Sequence, residues 1–446
     1  MTHLFQPLAG NPMHWDSIIL DAVGQKSGVS MPIHLHPVRH LSMIDRGFVH
    51  VYEGQFVPYD GDVFKVSGLL EYRDAMWNYE HPSKVPPYAP EAISADFEIA
   101  VSVRHSSPYH LNNYAKLPFC EHADVPGRWH RISSLPFSPA VYGLPVVDGR
   151  VWLPFTCRLR GYTYSEFLQC LDVNRPLSPD RGEPYTIHWF GDTNSRRALK
   201  KITSLGDWCS GNDLGSARCQ CDDSSEGFGR FTGQNKVRDS LIHLNDEDGG
   251  WSVSEDGKNK GRTVTSPLAR IHFHRWEGLT AFNHPPWQKT FDSVGKFHRA
   301  DLVVLSLVNI DVSFGMFLEY THALDELVRH LRSHYTETAI VLRTPQYFCC
   351  RAPSGAPLRR MQKDRNMQFY DYTHRLLKHS FGSLLRVWDA GGITETLPMT
   401  ERKAVLGCGI NAVPADIVHV ENHLLINSLC NLPSVNRVEH AEHELA

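Results

Sequence analysis

The sequence predicts an α/β fold: a three-layer α/β/α domain with a parallel sheet, preceded by a smaller N-terminal domain that resembles a β-sandwich. Two observations predict it. From residue 184 onward, near-continuous apolar strands alternate with amphipathic helices, which is typical of a buried parallel sheet covered by helices. Before that point, short runs of alternating polarity are separated by Gly, Pro and Asp, which indicates antiparallel strands. With 446 residues, 41% of them hydrophobic, the chain can fill the cores of two or three domains.

The first predicted domain is the β-rich region 1–110. Its strand candidates are "PIHLHPV", "GFVHVYEGQF", "VFKVSGLLEYRD" and "DFEIAVSVRH". A proline-rich connection, "VPPYAPEA", lies inside it. Region 111–183 is irregular and contains Pro, Trp, Cys and Arg with little periodicity, so we expect it to wrap around the next domain.

The second predicted domain spans residues 184–446. Its strands are "YTIHWF", "DLVVLSLVNI", "TAIVLRTP" and "LLRVWDA", each followed by a helical stretch. A polar, Gly-rich stretch at about residues 219–261 interrupts this alternation. We interpret it as a solvated insertion that could carry a hairpin.

Charge and apolar patterning exclude several functions. Lys and Arg number 45 against 49 Asp and Glu, for a net charge of −4, so no overall field attracts nucleic acid or an anionic membrane. We find no signal peptide and no apolar run of about 18 residues, so we expect a soluble chain without a membrane span. A cytosolic protein and a lumenal fragment both stay open.

The ten cysteines do not have the spacing of a metal site, so we expect neither a zinc ribbon nor any bound metal. They are numerous enough for several disulfides if the compartment is oxidising.

A candidate nucleophile lies in "HWFGDTNSRR". Gly191, Asp192 and Thr193 end the first strand of the α/β domain, at the edge where doubly wound sheets bind ligands. The Thr193 hydroxyl would lie at a helix N-terminus, whose free N–H groups favour developing negative charge. It needs a base, and "ADIVH" offers one, because Asp416 can accept the Nδ1 proton of His419 and leave Nε2 to face the hydroxyl.

Four motifs in order resemble the PC-esterase branch of the SGNH/GDSL hydrolases. "HWFGDTNSRR" resembles its GDS block and "DIVH" its closing DxxH. "CEHADVPGRWHR" and "VWLPFTCRLRGYTYSEFLQCL" resemble stretches that precede the GDS block in trichome-birefringence-like and in neurexophilin and PC-esterase domain proteins. The resemblance runs from about Cys120 to Leu432.

The resemblance implies O-acetyl chemistry on carbohydrate through an acyl-enzyme. It makes Thr193 the nucleophile in place of the usual Ser, His419 the base and Asp416 the orienting acid. It further implies oxyanion and substrate roles, namely for Gly191, Asn309 and Arg196. It also implies an SGNH-like catalytic domain behind an immunoglobulin-like β domain.

The same resemblance implies a glycan substrate, an acetyl donor such as acetyl-CoA as co-substrate, no bound cofactor, and a Golgi-lumenal or secreted location with paired cysteines. We therefore expect a carbohydrate O-acetyltransferase. A carbohydrate acetyl esterase with the same triad and a non-catalytic glycan- or protein-binding module stay open. The extra methyl of Thr193 restricts χ1, so Ser195 is a substitute nucleophile to consider.

Other residues have competing interpretations. Two His pairs, His34 with His36 and His272 with His274, each lie on one face of a strand, but alternation on a half-exposed strand explains them without a metal. Aromatic side chains near the insertion could form a sugar platform or pack in the core; they are Trp251, Trp276 and Trp287. The Arg359–Arg360 pair could meet an anionic group or start a solvated helix.

Overall fold

The computed structural model describes most of the chain. The described residues are 16–43, 47–55, 57–73, 88–102, 110–173, 184–206, 208, 239–244, 251–255, 258–259, 269–276, 278–280, 287–289, 299–346, 362–398, 413 and 415–431.

The N-terminal region forms one five-stranded antiparallel sheet in the order β3-β2-β1-β4-β5. Its strands are β1 (Ser17–Gly24), β2 (Ser30–Met43), β3 (Gly47–Gln55), β4 (Asp62–Tyr72) and β5 (Glu91–Val101). Burial alternates along most of β1, which was not among the predicted strands, and the alternation breaks where Asp21 and Ala22 are both buried. The small core of this sheet includes Phe64 and also Phe155, which comes from beyond the first 110 residues. The layer opposite the sheet is therefore supplied in part by the following segment.

The segment after the N-terminal sheet contains a second, three-stranded antiparallel sheet in the order β6-β8-β7. It consists of β6 (Gly127–Arg131), β7 (Val146–Val147) and β8 (Arg150–Pro154), and helix α1 (Tyr164–Val173) follows. Its side chains join the main core, and the buried Trp129 indole N–H donates to the Ile393 carbonyl at 2.7 Å. Two disulfides, Cys120–Cys157 and Cys170–Cys430, tie this segment internally and to the last helix.

The α/β domain is built on an eight-stranded sheet in the order β12-β11-β10-β13-β9-β14-β15-β16. Five neighbouring strands are parallel: β13 (Ala269–Arg275), β9 (Tyr185–Gly191), β14 (Leu302–Ser306), β15 (Ala339–Arg343) and β16 (Leu385–Trp388). Three antiparallel strands extend one edge: β10 (Asp239–Leu244), β11 (Trp251–Glu255) and β12 (Lys258–Asn259). Every residue of β9 and β14 is buried, as expected for central strands.

Helices flank the parallel sheet, which is the α/β arrangement predicted from the sequence. They are α2 (Thr193–Thr203), α3 (Asn309–Phe314), α4 (Phe317–His334), α5 (Lys363–Phe381), α6 (Ala390–Glu395) and α7 (Ala415–Cys430). Helix α2 packs against α7, and α4 packs against α5. Almost every residue of α7 is buried, although its sequence includes several polar side chains.

Charged side chains join the N-terminal sheet to the rest of the molecule. Arg128 of β6 forms two hydrogen bonds of 2.8 Å with the Asp60 carboxylate, and both side chains are buried. Asp364, at the start of α5, accepts a backbone hydrogen bond from Ile18 and lies near the Glu71 carboxylate. Burial raises the pKa of Asp364 to about 7.

Candidate functional site

The candidate site begins where β9 turns into α2, at the carboxyl end of the parallel strands. Asp192 is the N-cap of α2, and its Oδ1 accepts the Ser195 backbone N–H at 3.1 Å. Gly191 precedes it, in register with Ser306 of β14. A Cβ at Gly191 would lie 2.6 Å from Ser195 Oγ and 2.8 Å from Ser306 Cβ, so this close approach of strand and helix requires glycine.

Asn309 lies directly against this turn, as its predicted place at the end of a later strand implied. Its Nδ2 donates to Asp192 Oδ2 at 2.7 Å, and its Oδ1 accepts the Gln346 backbone N–H at 2.9 Å. The two bonds fix the orientation of the amide, with nitrogen toward Asp192. One of the two Nδ2 hydrogens is used in this way.

The residue before Asn309 has a strained backbone. Val308 ends the turn after β14 with φ 85° and ψ −50°, a region that β-branched residues rarely occupy. Such a conformation costs about 1–3 kcal/mol and persists only where the surroundings enforce it. The hydrogen bonds of Asn309 to Asp192 and Gln346 are suited to hold it.

A buried ion pair lies behind Asn309. Arg343 at the end of β15 donates from Nη2 to Glu421 Oε2 of α7 at 2.8 Å, and neither side chain is exposed. The Gln346 side-chain amide donates to the other Glu421 oxygen. Burial raises the pKa of the Glu421 carboxyl, and the Arg343 guanidinium opposes that rise. A continuous polar chain thus leads from Glu421 to Asp192.

His419 of α7 contacts Tyr164 of α1. The Tyr164 hydroxyl lies 2.9 Å from His419 Nδ1, and the Asn422 amide nitrogen approaches the same hydroxyl at 3.4 Å. The amide nitrogen can only donate to the Tyr164 oxygen, which leaves the phenol proton available for His419 Nδ1. A ring that accepts this proton carries its own hydrogen on Nε2. Burial, together with the nearby positive charges of His423 and Lys201, lowers the pKa of His419 to about 3, so the ring is neutral near pH 7.

Three observations place the His419 ring beside the C-terminal half of α2. Its hydroxyl partner Tyr164 packs its ring against Gly206, where a Cβ would lie 3.2 Å from two ring carbons. Asn422, one turn further along α7, donates to the Ala198 carbonyl at 2.9 Å. Lys201, which lowers the pKa of His419, is in the last turn of α2. That turn lies about 12 Å along the helix from Thr193, at 1.5 Å per residue.

The structure corrects one detail of the predicted triad. The described partner of His419 Nδ1 is Tyr164, and the Asp416 carboxylate instead accepts the Ile417 N–H at 2.9 Å. The physical reason is that Asp416 is in the first turn of α7, where backbone N–H groups have no partner within the helix. Burial raises the pKa of Asp416.

The remaining predicted residues lie on α2. Thr193 is its first residue, but the Thr193 side chain lies outside the described atoms, so the meeting of its hydroxyl with His419 stays a prediction. Ser195 is fully buried, and its Oγ accepts a hydrogen bond from the Trp189 indole, so it points into the sheet. Arg196 is buried one turn into the helix, and its predicted role also stays a prediction.

The alternative candidates have ordinary structural roles where they are described. His272 and His274 are both 2% exposed, so β13 is fully buried instead of half-exposed. The His274 ring stacks on Phe190, and His34 lies 3.9 Å from Glu395. Within the described ranges, no group of three or more His, Cys, Asp or Glu is arranged to hold a metal ion.

Two of the three candidate tryptophans have described side chains, and both are buried. Trp276 and Trp287 pack in the core, at 5% and 1% exposure, so neither is a surface sugar platform. The Trp251 side chain and the Arg359–Arg360 pair lie outside the described residues.

Four residues of the site were not predicted: Tyr164, Arg343, Gln346 and Glu421. The first belongs to the segment without clear periodicity. Arg343 and Glu421 carried a signal, since a charged residue at the end of an apolar strand and an acid inside an apolar helix both require buried partners, whereas Gln346 carried none. The sequence did not show which partners they would find.

No family model matches the chain, and no curated protein sequence matches it. Two solved structures resemble it. One is titled a peptidoglycan O-acetylesterase in action, with 12% identity over 60% of this chain and 95% of that chain and a TM-score of 0.33. The other is a carbohydrate acetylesterase family member from Sinorhizobium meliloti, with 13% identity over 37% and 81% and a TM-score of 0.27. At such TM-scores the likeness establishes nothing further, so the fold class rests on the sheet and helices described above.

The described helices do not meet the requirements of a bilayer span. In the part of the chain that the structure describes, none combines the length and the apolar character that crossing a membrane requires.

Proposed function

We propose that this chain is a carbohydrate O-acetyltransferase that carries the acetyl group on Thr193. The observation that supports it is the turn from β9 into α2, where Thr193 begins a helix beside the hydrogen-bonded pair of Asp192 and Asn309. This turn lies at the carboxyl edge of the parallel strands, where open α/β sheets bind ligands. The carbohydrate and acetyl specificity come from the motif resemblance alone.

The turn supplies groups that an acyl transfer needs. The first N–H groups of α2 have no partner within the helix and favour the negative charge that develops on the acyl oxygen. Asn309 has a second Nδ2 hydrogen that is not used on Asp192. In the proposed reaction the Thr193 oxygen attacks the acetyl carbonyl carbon, and the Thr193 proton passes through the base to the departing group of the donor. The acceptor sugar hydroxyl then attacks the acetyl-Thr193 carbonyl, its proton passes through the base to the released Thr193 oxygen, and the acetyl group stays on the sugar.

His419 acts as the base only if its Nε2 is free of hydrogen and reaches Thr193. Its described contacts favour the other tautomer and a position beside Lys201. The reaction therefore requires a rearrangement of α7 or another base.

A second candidate function is a non-catalytic glycan- or protein-binding module. The contacts of His419 favour it. A neutral imidazole with its hydrogen on Nε2 is a hydrogen-bond donor and is suited to recognition. The fold and the site edge are then kept for binding, without an acyl-enzyme.

A partition experiment tests the proposal. The protein is incubated with an activated ester carrying a labelled acetyl group, with and without a glycan acceptor. A transferase places the label on sugar, and an esterase releases it as acetate in both cases. A binding module leaves ester turnover at the level of Thr193→Ala; Thr203→Ala, at the far end of α2, is the matched control.

A further inference from the structure

We infer that buried Glu421 positions Asn309 through Gln346. Glu421 is therefore a positioning residue of the site, although it does not face the Thr193 turn directly. This inference deepens the proposed function and rests on it for its effect on acyl chemistry. The contacts that carry it are independent of that function.

The orientation of the Asn309 amide follows from its two hydrogen bonds. Its Oδ1 accepts the Gln346 backbone N–H at 2.9 Å, and a backbone N–H can only donate. The amide nitrogen must therefore face Asp192, where it donates at 2.7 Å. The placement of the Gln346 backbone thus decides which group Asn309 presents to the turn.

The Gln346 backbone is held from two sides. On one side Thr344 is fixed, because its N–H donates to the Trp388 carbonyl at 2.9 Å and its hydroxyl donates to Asp389 at 3.0 Å. On the other side the Gln346 side chain donates to Glu421. The two-residue step from Thr344 to Gln346 is therefore anchored at both ends.

The Glu421 carboxylate is itself held in place. Glu421 is held on three sides: Arg343 donates to its Oε2 at 2.8 Å, Gln346 donates to its Oε1, and the Trp388 indole donates to its backbone carbonyl at 2.9 Å. The Arg343 guanidinium also lies over the Trp388 ring, 5.1 Å from its centroid. A carboxylate held in this way cannot follow Gln346 if that side chain moves, so it acts as a fixed point.

The position of Asn309 affects α2 through Asp192. Asp192 divides its carboxylate between Asn309 and the backbone N–H of Ser195. A loosened Asn309 should therefore loosen the first turn of α2, which begins at Thr193. Packing around Gln346 does not by itself predict this remote effect.

Gln346→Met tests the inference, because it keeps the side-chain length and removes the donor to Glu421. Replacing Glu421 would leave Arg343 buried without its partner, and such a variant is expected to unfold. Gln362→Met is the matched control, since Gln362 is a fully buried glutamine outside this chain of contacts. Gln346→Asn keeps an amide that no longer reaches Glu421, and it carries the test if the methionine variant does not fold.

Two readouts on the full chain separate the inference from the proposed function. We expect amide hydrogen exchange at Ser195 to accelerate about 10-fold in Gln346→Met and to stay unchanged in Gln362→Met. We also expect Thr193 acetylation by an activated ester to slow about 10-fold, with the half-saturating ester concentration unchanged.

The exchange result decides the inference even if the wild-type protein is not acetylated, in which case only the proposed function fails. Unchanged exchange at Ser195 in Gln346→Met, or equal acceleration in Gln362→Met, overturns the inference. If the exchange test overturns the inference and Thr193 of the wild type is still acetylated, the proposed function stands without the inference.

Discussion

The Tyr164 hydroxyl lies 2.9 Å from Nδ1 of His419 and joins helix α1 to helix α7. This contact occupies the ring nitrogen that an orienting carboxylate would hold in a Ser-His-Asp arrangement. It therefore separates two accounts of the protein, one in which His419 removes a proton and one in which it donates a hydrogen bond.

Tyr164→Phe tests this contact directly. We expect the wild-type His419 ring to carry its hydrogen on Nε2 and the variant to lose that preference, because the phenol no longer donates to Nδ1. Stability should fall by about 1 kcal/mol for the lost hydrogen bond. Nitrogen chemical shifts of the ring and urea unfolding measure the two effects.

The control for this variant is Tyr372→Phe, whose hydroxyl contacts Asp325 at 3.4 Å at the surface. We expect it to leave the His419 ring and stability unchanged. A wild-type ring with its hydrogen on Nδ1 would show that Tyr164 accepts instead of donating, and His419 would then have the tautomer of a base.

Asn309→Ala removes the amide that joins Asp192 to the Gln346 backbone. Both partners are then left buried with an unmade hydrogen bond, so we expect stability to fall by about 2 kcal/mol. If Thr193 is acetylated, the rate should fall about 100-fold, as for the loss of an oxyanion donor. Asn112→Ala, at an exposed asparagine, is the control. A variant as stable and as active as the wild type would contradict the assigned position of Asn309.

Asp364→Asn should make the protein more stable above neutral pH. Burial raises the pKa of Asp364 to about 7, well above its value in an unfolded chain. The protonated carboxyl thus favours the folded state, and this contribution is lost as the pH rises from about 4 to about 7. The amide stays neutral throughout, so the variant avoids the loss.

The expected gain for Asp364→Asn is about 2 kcal/mol at about pH 8, falling toward zero near pH 4. Urea unfolding at several pH values measures it. Asp371→Asn, at a more exposed carboxyl of the same helix, is the comparison and should show a smaller gain. A gain that grows as the pH falls would have the wrong sign for a raised pKa.

Removing the Cys170–Cys430 disulfide should destabilise the protein more than removing Cys120–Cys157. The first bond closes a loop with a sequence separation of 260 and the second one of 37, and a longer loop constrains the unfolded chain more. We expect about 5.5 kcal/mol for the first pair of Cys→Ser changes and about 4 kcal/mol for the second. Urea unfolding of the two double variants measures the difference, and equal losses would contradict the expectation.

The fold class was predictable because its signals are local. Strands β9, β14, β15 and β16 consist mostly of apolar residues, and helices follow them in the sequence. The antiparallel pattern of the N-terminal region was equally legible. The five-stranded sheet and its partner layer were not, because Phe155 comes from a segment without a clear period.

The site was predictable only in part. The turn at Gly191 and Asp192 and its contact with Asn309 follow from the strand order, which brings the ends of β9 and β14 together. The partners of His419 do not, because the packing of α7 on α2 decides them. The three-residue spacing of Asp416 and His419 suggested a hydrogen bond on a turn before the helix, but both residues lie in α7, and the Asp416 carboxylate accepts a backbone N–H at the helix N-terminus.

The central claim is that Thr193 carries an acetyl group. The full chain is exposed to an activated acetyl ester, quenched in acid and analysed by peptide mass spectrometry, beside Thr193→Ala and the control Thr203→Ala. The account predicts one acetyl group on Thr193 in the wild type and in Thr203→Ala, and none at that position in Thr193→Ala. An unmodified Thr193, with ester turnover the same in all three proteins, would contradict it and leave a binding role for this edge of the sheet.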